Sequence, residues 1–196
     1  MKITLIDRNT DIVMAWEKYF HGIEGVEIVN TTLNDYLNKY LHEIDAIVSP
    51  ANSFGLMDGG YDRAIILYFG RELQDTVQQY IRENYHGEQV VGTAFSVNIP
   101  NSEKMLIHAP SMRVPSIIRD SSVVYSCMRA TLLEAQAKEV KSILIPAFGG
   151  LTGRVPPDII AHDMFEAYCQ INTPVLEKVT WDSILHHDNK RIWETE

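Results

Sequence analysis

Two polar side chains ten residues apart, Asn52 and Asp62, are the strongest candidates for binding a polar ligand and transferring a proton. An amide can hydrogen-bond a sugar hydroxyl, and a carboxylate can take a proton from an attacking water. Between them lie Gly59 and Gly60, in a loop that follows a short apolar run and precedes a helical pattern from Ala64. Because glycine lets the backbone approach an anion and helix-start N–H groups point towards it, this loop predicts a phosphate-binding turn.

A second glycine-rich loop follows the apolar run at 143–145 and precedes another helical pattern, in which Pro156 or Pro157 suits the first turn. Its members are Gly149, Gly150, Leu151, Thr152 and Gly153. Either loop alone could serve only to turn the chain. In an α/β sheet, however, ligands bind outside the carboxyl ends of the strands. Two such loops at one sheet end are therefore expected to hold a diphosphate from both sides.

Both polar residues also have a structural interpretation. Asn52 could close an Asx turn after Pro50. Asp62 could cap the following helix, a role worth about 1 kcal/mol that is compatible with catalysis. Asp58 adds a second carboxylate, which weakens anion binding unless it faces away. His108 ends an apolar strand and is interpreted as a buried, hydrogen-bonded side chain.

The composition fits a globular protein without a basic surface. The 196 residues are 45% hydrophobic and 22% charged, with a net charge of −9, so general nucleic-acid binding is not expected. No apolar run approaches the roughly 20 residues of a membrane span, so no membrane partner is expected either. The two cysteines indicate reduced thiols, which favours a cytoplasmic location. The seven histidines form no metal-binding pattern, and neither a metal nor another cofactor is implied.

Short apolar runs alternate with helical patterns in the order βαβαβαββαβαβ. The strands are expected at 3–6, 26–30, 45–49, 90–97, 105–109, 142–147 and 179–185. This order predicts an α/β fold, a three-layer α/β/α sandwich with a mixed, mostly parallel sheet. A single domain over 1–196 is the simplest organisation, with a leading βαβ unit at 1–30 and a polar tail at 186–196.

These segments resemble the macro domain family. The resemblance rests on the residues from Asp45 to Asn52, those from Asp58 to Asp62, and the loop at 149–153, and it extends over about residues 26–170. The segment 108–115 and the leading βαβ unit are similar to a bacterial and viral subgroup. The resemblance implies a partner that is ADP-ribose or an ADP-ribosylated macromolecule. In many members it also implies hydrolysis of ADP-ribosyl linkages.

The resemblance also implies roles for individual residues. Asn52 would bind the hydroxyls of the distal ribose, and Asp62 would orient or activate the attacking water. The two glycine loops would enclose the diphosphate. The expected ligand contacts are Thr32, Leu33, Ala51, Asn52, Gly59, Gly60, Tyr61, Phe148, Gly149, Gly150, Leu151, Thr152 and Gly153.

Two departures from the family pattern concern the two ends of the ligand. Thr32 stands where many members carry the carboxylate that binds the adenine amino group, and Asp7 or Asp35 could replace it. Thr152 stands where many members have an aromatic lid, which would then be missing or supplied by Phe148 or Phe54.

Two further residues bear on catalysis and phosphate binding. Ile66 occupies a position that is His in some hydrolytic members. Arg113 could reach a phosphate or pair with an acidic side chain. The residues and the resemblance together favour an ADP-ribosyl hydrolase of the glycohydrolase or esterase type. The alternatives are a non-catalytic ADP-ribose reader and a domain for a related nucleotide such as ADP-ribose 1″-phosphate.

Overall fold

A computed structural model describes residues 1–175 and 177–184. The strands are β1 (Lys2–Asp7), β2 (Val26–Asn30), β3 (Ala46–Ser49), β4 (Phe95–Asn98), β5 (Met105–His108) and β6 (Ser142–Pro146). The helices are α1 (Thr10–Phe20), α2 (Leu33–Tyr40), α3 (Gly60–Phe69), α4 (Glu72–Tyr85), α5 (Ser122–Ala137) and α6 (Pro157–Asn172). No helix of the described ranges is long and apolar enough to cross a membrane.

The strands form one mixed sheet in the order β2-β1-β6-β3-β5-β4. All neighbouring pairs are parallel except β4 and β5, which are antiparallel. The predicted mixed, mostly parallel sheet is confirmed. Because five strands run in one direction, the loops that leave β1, β2, β3, β5 and β6 emerge at one edge, which is where α/β proteins place their ligands.

Alternating side chains of the sheet enter two separate cores. Ile143 and Ile145 of β6 pack into a core shared with α1, α5 and α6. Leu144, between them, packs into a second core shared with α2, α3 and α4. This two-residue alternation is the period of a strand buried on both faces. The predicted three-layer α/β/α sandwich is therefore confirmed.

Two of the predicted strands differ from the structure. The strand expected at 90–97 begins only at Phe95, because Gly92, at a φ of +81°, turns the preceding chain. The strand expected at 179–185 is wrong, since residues 181–184 form a helical turn. Thr180 and Ser183 accept hydrogen bonds from each other's backbone N–H group, a reciprocal arrangement that starts a helix. Leu185 and the polar tail at 186–196 lie outside the described residues.

Candidate functional site

A cavity of ≈ 730 Å³ opens at the carboxyl ends of the parallel strands. It is lined by most of the residues that the sequence predicts for the site. These are Thr32, Leu33, Ala51, Asn52, Gly59, Gly60, Tyr61, Asp62, Gly149, Gly150, Leu151 and Thr152. The two glycine loops, although almost ninety residues apart in sequence, therefore border the same space.

Phe148 and Gly153 do not line this cavity. Phe148 is fully buried in the core beneath α1, α5 and α6, so the expected ligand contact through its ring is not supported. Gly153 lies behind the loop, where a Cβ atom would come within 2.6 Å of the carbonyl oxygen of Gly149. Its carbonyl also accepts a hydrogen bond of 2.9 Å from the backbone N–H of Ile118. Gly153 thus shapes the loop without facing a ligand.

The first glycine loop ends at the N-terminus of α3. Gly59 is the N-cap residue, and no side chain caps this end of the helix. Gly60 adopts a left-handed φ of +56°, which glycine tolerates best. Uncapped N–H groups and the positive end of the helix dipole favour an anion. This corner of the cavity is therefore suited to a phosphate group.

The second glycine loop is closely packed on its inner side. Gly149 has a φ of +74°, and a Cβ atom there would lie 2.7 Å from the Cδ1 atom of Ile118. A Cβ atom on Gly150 would lie 3.2 Å from Ile160, so this glycine turns its missing side chain towards the core. Leu151 is 68% exposed and reaches towards Gly60, which brings the two loops together at the cavity mouth.

Asp62 is a nearly buried carboxylate on the first turn of α3, only 7% exposed, at the cavity wall. The hydroxyl of Ser49 donates a hydrogen bond of 2.6 Å to its Oδ1 atom. Burial raises the pKa of Asp62 to about 7, and the hydrogen bond from Ser49 opposes this rise. Asp62 does not cap α3, which contradicts the capping alternative. A carboxyl with this pKa can exchange a proton near neutral pH.

Asn52 lines the cavity, but its amide is largely occupied by its own loop. Its Oδ1 atom accepts hydrogen bonds from the backbone N–H groups of Phe54 (3.1 Å) and Leu56 (3.3 Å). Its Nδ2 atom donates to the carbonyl of Leu56 at 2.7 Å. The Asx-turn interpretation is thus confirmed. Because an amide nitrogen carries two hydrogens, one N–H donor remains for a ligand.

The far end of the cavity lies where β1 and β2 end. Thr32 caps α2, accepting from the backbone N–H of Asp35 and donating to its carboxylate at 2.7 Å. Asp35 does not line the cavity, whereas Asp7 does. The carboxylate of Asp7 accepts a hydrogen bond of 2.8 Å from the backbone N–H of Asn9, and burial raises its pKa. Of the two carboxylates that could replace the one absent at position 32, Asp7 lines the cavity and Asp35 does not.

Arg113 and Phe54 lie outside the cavity lining. The guanidinium of Arg113 forms two hydrogen bonds, of 2.6 and 2.9 Å, with the carboxylate of Glu88. It also lies 5.1 Å from the centre of the Phe54 ring. The acidic-partner alternative for Arg113 is therefore confirmed, and Phe54 supplies no lid to the cavity.

His108 is fully buried, as its position at the end of β5 predicts. Its Nδ1 atom lies 2.6 Å from Oε1 of Gln89, and burial lowers its pKa to about 3. This side chain is a neutral component of the core. Within residues 1–175 and 177–184, no cluster of three His, Cys, Asp or Glu residues could hold a metal ion.

Some cavity residues were not predicted from the sequence. Arg8, Asn9 and Ile12 come from the β1–α1 junction, while Met112 and Pro115 come from the segment after β5. The signal for the first group was available, since an apolar strand that ends in Asp-Arg-Asn before a helix is also a sheet-edge junction. The sequence pattern does not show that β1 lies beside β6 in the sheet, which brings the β1–α1 junction to the cavity.

The fold and the cavity together define a macro domain. The model of the macro domain family matches residues 48–164, and the chain belongs to this family. An uncharacterised protein of Aquifex aeolicus is 33% identical over 137 residues, which cover 70% of this chain and 80% of that protein.

Solved structures share the fold. The Oceanobacillus iheyensis macrodomain with ADP matches with a TM-score of 0.57 at 22% identity, covering 65% of this chain and 68% of that one. Thermosipho africanus DarTG in complex with ADP-ribose matches with a TM-score of 0.56 at 15% identity, covering 74% of this chain and 41% of that one.

Proposed function

We propose that this macro domain binds ADP-ribose across the carboxyl end of its sheet and hydrolyses an ADP-ribosyl linkage. The observation that carries the proposal is Asp62, a nearly buried carboxyl with a pKa of about 7 at the wall of the cavity that the two glycine loops border. Perturbed carboxyls in clefts are typical of catalytic sites. Two structural neighbours, one with ADP and one in complex with ADP-ribose, support the nucleotide class.

In this proposal the diphosphate lies between the N-terminus of α3 and the loop at 149–153. Backbone N–H groups and the helix dipole supply the positive potential that a net charge of −9 does not. Asp58 is exposed at the cavity edge, so water screens its repulsion of the phosphates.

The adenine is proposed to lie at the end formed by β1 and β2. Leu33 supplies an apolar surface, and the carboxylate of Asp7 is the acceptor for the adenine amino group. Thr32 then retains its hydroxyl for capping α2. This placement leaves the distal ribose between Asn52 and Asp62.

The proposed reaction is hydrolysis at the anomeric carbon of the distal ribose. A water oxygen forms a bond to this carbon while the bond to the modified group breaks. Asp62 accepts a proton from the water, and the leaving group takes a proton from solvent as it departs. The remaining N–H of Asn52 holds a ribose hydroxyl. These steps use Asp62, Asn52 and water, and no metal or cofactor enters the proposal.

A reader of ADP-ribose without turnover is the second candidate. Two observations favour it: the amide of Asn52 is mostly occupied by its loop, and Ile66 is buried where some hydrolytic members have His. The burial and pKa of Asp62 favour the enzyme, because a carboxyl with a pKa near 7 serves proton transfer and has no role in binding alone.

Two measurements on the wild-type protein test the proposal. Calorimetric titration with ADP-ribose, ADP and AMP should show the tightest binding for ADP-ribose. Incubation with proteins and nucleic acid mono-ADP-ribosylated on Asp, Glu, Ser, Arg or thymidine should release ADP-ribose from one class. Binding without release from any class would leave the reader, and a failure to bind ADP-ribose would contradict both candidates.

A further inference from the structure

Ser49, the last residue of β3, is fully buried behind the cavity. Its hydroxyl donates the hydrogen bond of 2.6 Å to Oδ1 of Asp62. Within the described residues, no other hydrogen bond to this carboxylate is found, and Oδ2 is not fully buried. The two oxygens of Asp62 are therefore in different situations: one is held by β3, and the other is open at the cavity wall.

We propose that Ser49 is a positioning residue for Asp62, fixing Oδ1 so that Oδ2 faces the attacking water. The inference rests on the proposed hydrolysis. Without the hydrogen bond from Ser49, the carboxylate of Asp62 can rotate about its terminal torsion, which has a broad preference. A rotated carboxylate presents the wrong lone pairs, and a misplaced group near the reacting atoms can cost about 10²-fold in rate.

Ser49 has a rigid base from which to act. Every residue of β3 is buried, and β3 is hydrogen-bonded between β5 and β6 in the middle of the sheet. The carbonyl of Ser49 accepts a hydrogen bond of 3.0 Å from the backbone N–H of Ala109. Strand β3 thus fixes one end of the Ser49–Asp62 contact, and the first turn of α3 fixes the other.

The contact also controls how much of the base form is present. Burial raises the pKa of Asp62, and the Ser49 hydroxyl lowers it by binding the charged form. The adjoining Tyr61 is a titratable group on which the charges of Asp62 and Asp7 act. The pKa of Tyr61 is raised well above its usual range, mainly by burial, so this phenol stays neutral at working pH. Without the Ser49 hydroxyl, more of Asp62 would be protonated at neutral pH and unable to accept a proton.

The test compares Ser49→Ala with the wild type and with a matched control, Ser53→Ala. Ser53 is equally buried in the adjoining loop, but its hydroxyl has no partner in the described part of the chain and it does not line the cavity. Turnover is measured from pH 5 to 9, ADP-ribose affinity by calorimetry, and the titration of the Asp62 carboxyl by carbon-13 NMR, assigned with Asp62→Asn. Ser49→Cys, which keeps the size with a weak donor, is included in case Ser49→Ala does not fold.

We expect Ser49→Ala to lower kcat at pH 7 by about tenfold or more and to move the acidic limb of the pH profile upward by roughly one unit. The Asp62 carboxyl should show the same upward shift by NMR, while the Kd for ADP-ribose changes less than about threefold. Ser49→Cys should fall between wild type and Ser49→Ala, and Ser53→Ala should match wild type.

The outcomes separate the two proposals. An active wild type in which Ser49→Ala, or Ser49→Cys where Ser49→Ala does not fold, leaves both kcat and the carboxyl titration unchanged overturns the role of Ser49 alone. A general loss of stability, with the NMR titration unmoved, overturns it as well, since that result describes a purely structural serine. A wild type that binds ADP-ribose but releases none overturns the proposed hydrolysis and this inference together.

Discussion

At the residue scale, the chemistry of the site depends on what each polar atom already binds. Asp62 and Asn52 both reach the cavity, as their spacing predicts. The sequence could not show that the amide of Asn52 is mostly hydrogen-bonded to the backbone of Phe54 and Leu56. Nor could it show that Ser49 donates a hydrogen bond to Asp62. These contacts depend on the path of one loop and on where α3 crosses β3, and neither is encoded by residue type.

Removing the carboxylate of Asp62 tests the general base directly. Asp62→Ala should lower turnover by about 10²–10⁴, the usual contribution of a positioned base, with a modest change in ADP-ribose affinity. Because the base form predominates only above the pKa of about 7, wild-type activity should rise with pH through this value. Asp58→Ala is the matched control, since Asp58 is an exposed carboxylate at the same cavity and should be dispensable for turnover.

Purine selectivity tests Asp7. The wild type should bind ADP-ribose more tightly than its hypoxanthine analogue, which presents a carbonyl in place of the amino group. Asp7→Asn should remove this preference and weaken ADP-ribose binding by roughly 1.5–3 kcal/mol, the range for a hydrogen bond to a charged group. Thr32→Val should leave the preference intact. Calorimetry with both nucleotides measures the effect, and a preference that follows Thr32 rather than Asp7 would place the adenine elsewhere.

At the scale of elements, strand-to-helix junctions are what the sequence reveals best. The apolar runs before both glycine loops are β3 and β6, and the helical patterns after them are α3 and α6. The sequence does not show whether the side chain of a loop residue faces the cavity or the core. Phe148 lies next to the second glycine loop in sequence, yet it turns into the core. The helical turn at 181–184 was likewise hidden, because its apolar residues also fit a short strand.

The N-terminus of α3 can be tested as an anion site with one added charge. Gly59 has an extended φ of −134°, and a Cβ atom there would meet nothing within 4 Å, so a side chain is tolerated. Gly59→Glu should weaken ADP-ribose binding by tenfold or more at low salt, on the order of 1.4 kcal/mol, because a carboxylate then competes for the anion position. The thermal midpoint should be unchanged.

Leu67→Glu is the control for this charge, since Leu67 is 64% exposed on the same helix and does not line the cavity. It should leave the affinity unchanged. Equal weakening by both variants would mean that the charge acts at long range and that the N-terminus of α3 is not the phosphate position.

At the scale of the whole molecule, the cavity has one wall that the family match does not include. The match begins at residue 48, after β1, α1, β2 and α2. These elements nevertheless complete one side of the sheet, and β1 lies directly beside β6. Asp7 and Thr32, at the ends of β1 and β2, thereby enter the same cavity as the glycine loops. Strand order is a long-range property, so local patterns could not predict this wall.

Two buried titratable groups, Asp62 at the cavity wall and His108 in the core, give the folded state a pH dependence with opposing slopes. The pKa of Asp62 rises from 3.8 to about 7 on folding, so its contribution is full below pH 3.8 and is lost as pH rises through 7. The pKa of His108 falls from 6.5 to about 3, so its contribution is full above pH 6.5 and is lost as pH falls towards 3. Between pH 4 and 6.5 the two slopes cancel.

Removing either group should therefore expose the pH dependence of stability that the other group contributes. In Asp62→Asn, the free energy of unfolding should rise with pH between 4 and 6.5, relative to wild type, by up to about 1.4 kcal/mol per pH unit. In His108→Gln it should fall over the same window, since only the carboxyl then titrates. Urea unfolding at half-unit steps of pH measures both. Parallel profiles for wild type and Asp62→Asn would show that Asp62 is ionised in the folded protein well below pH 7, which would also weaken its assignment as the base.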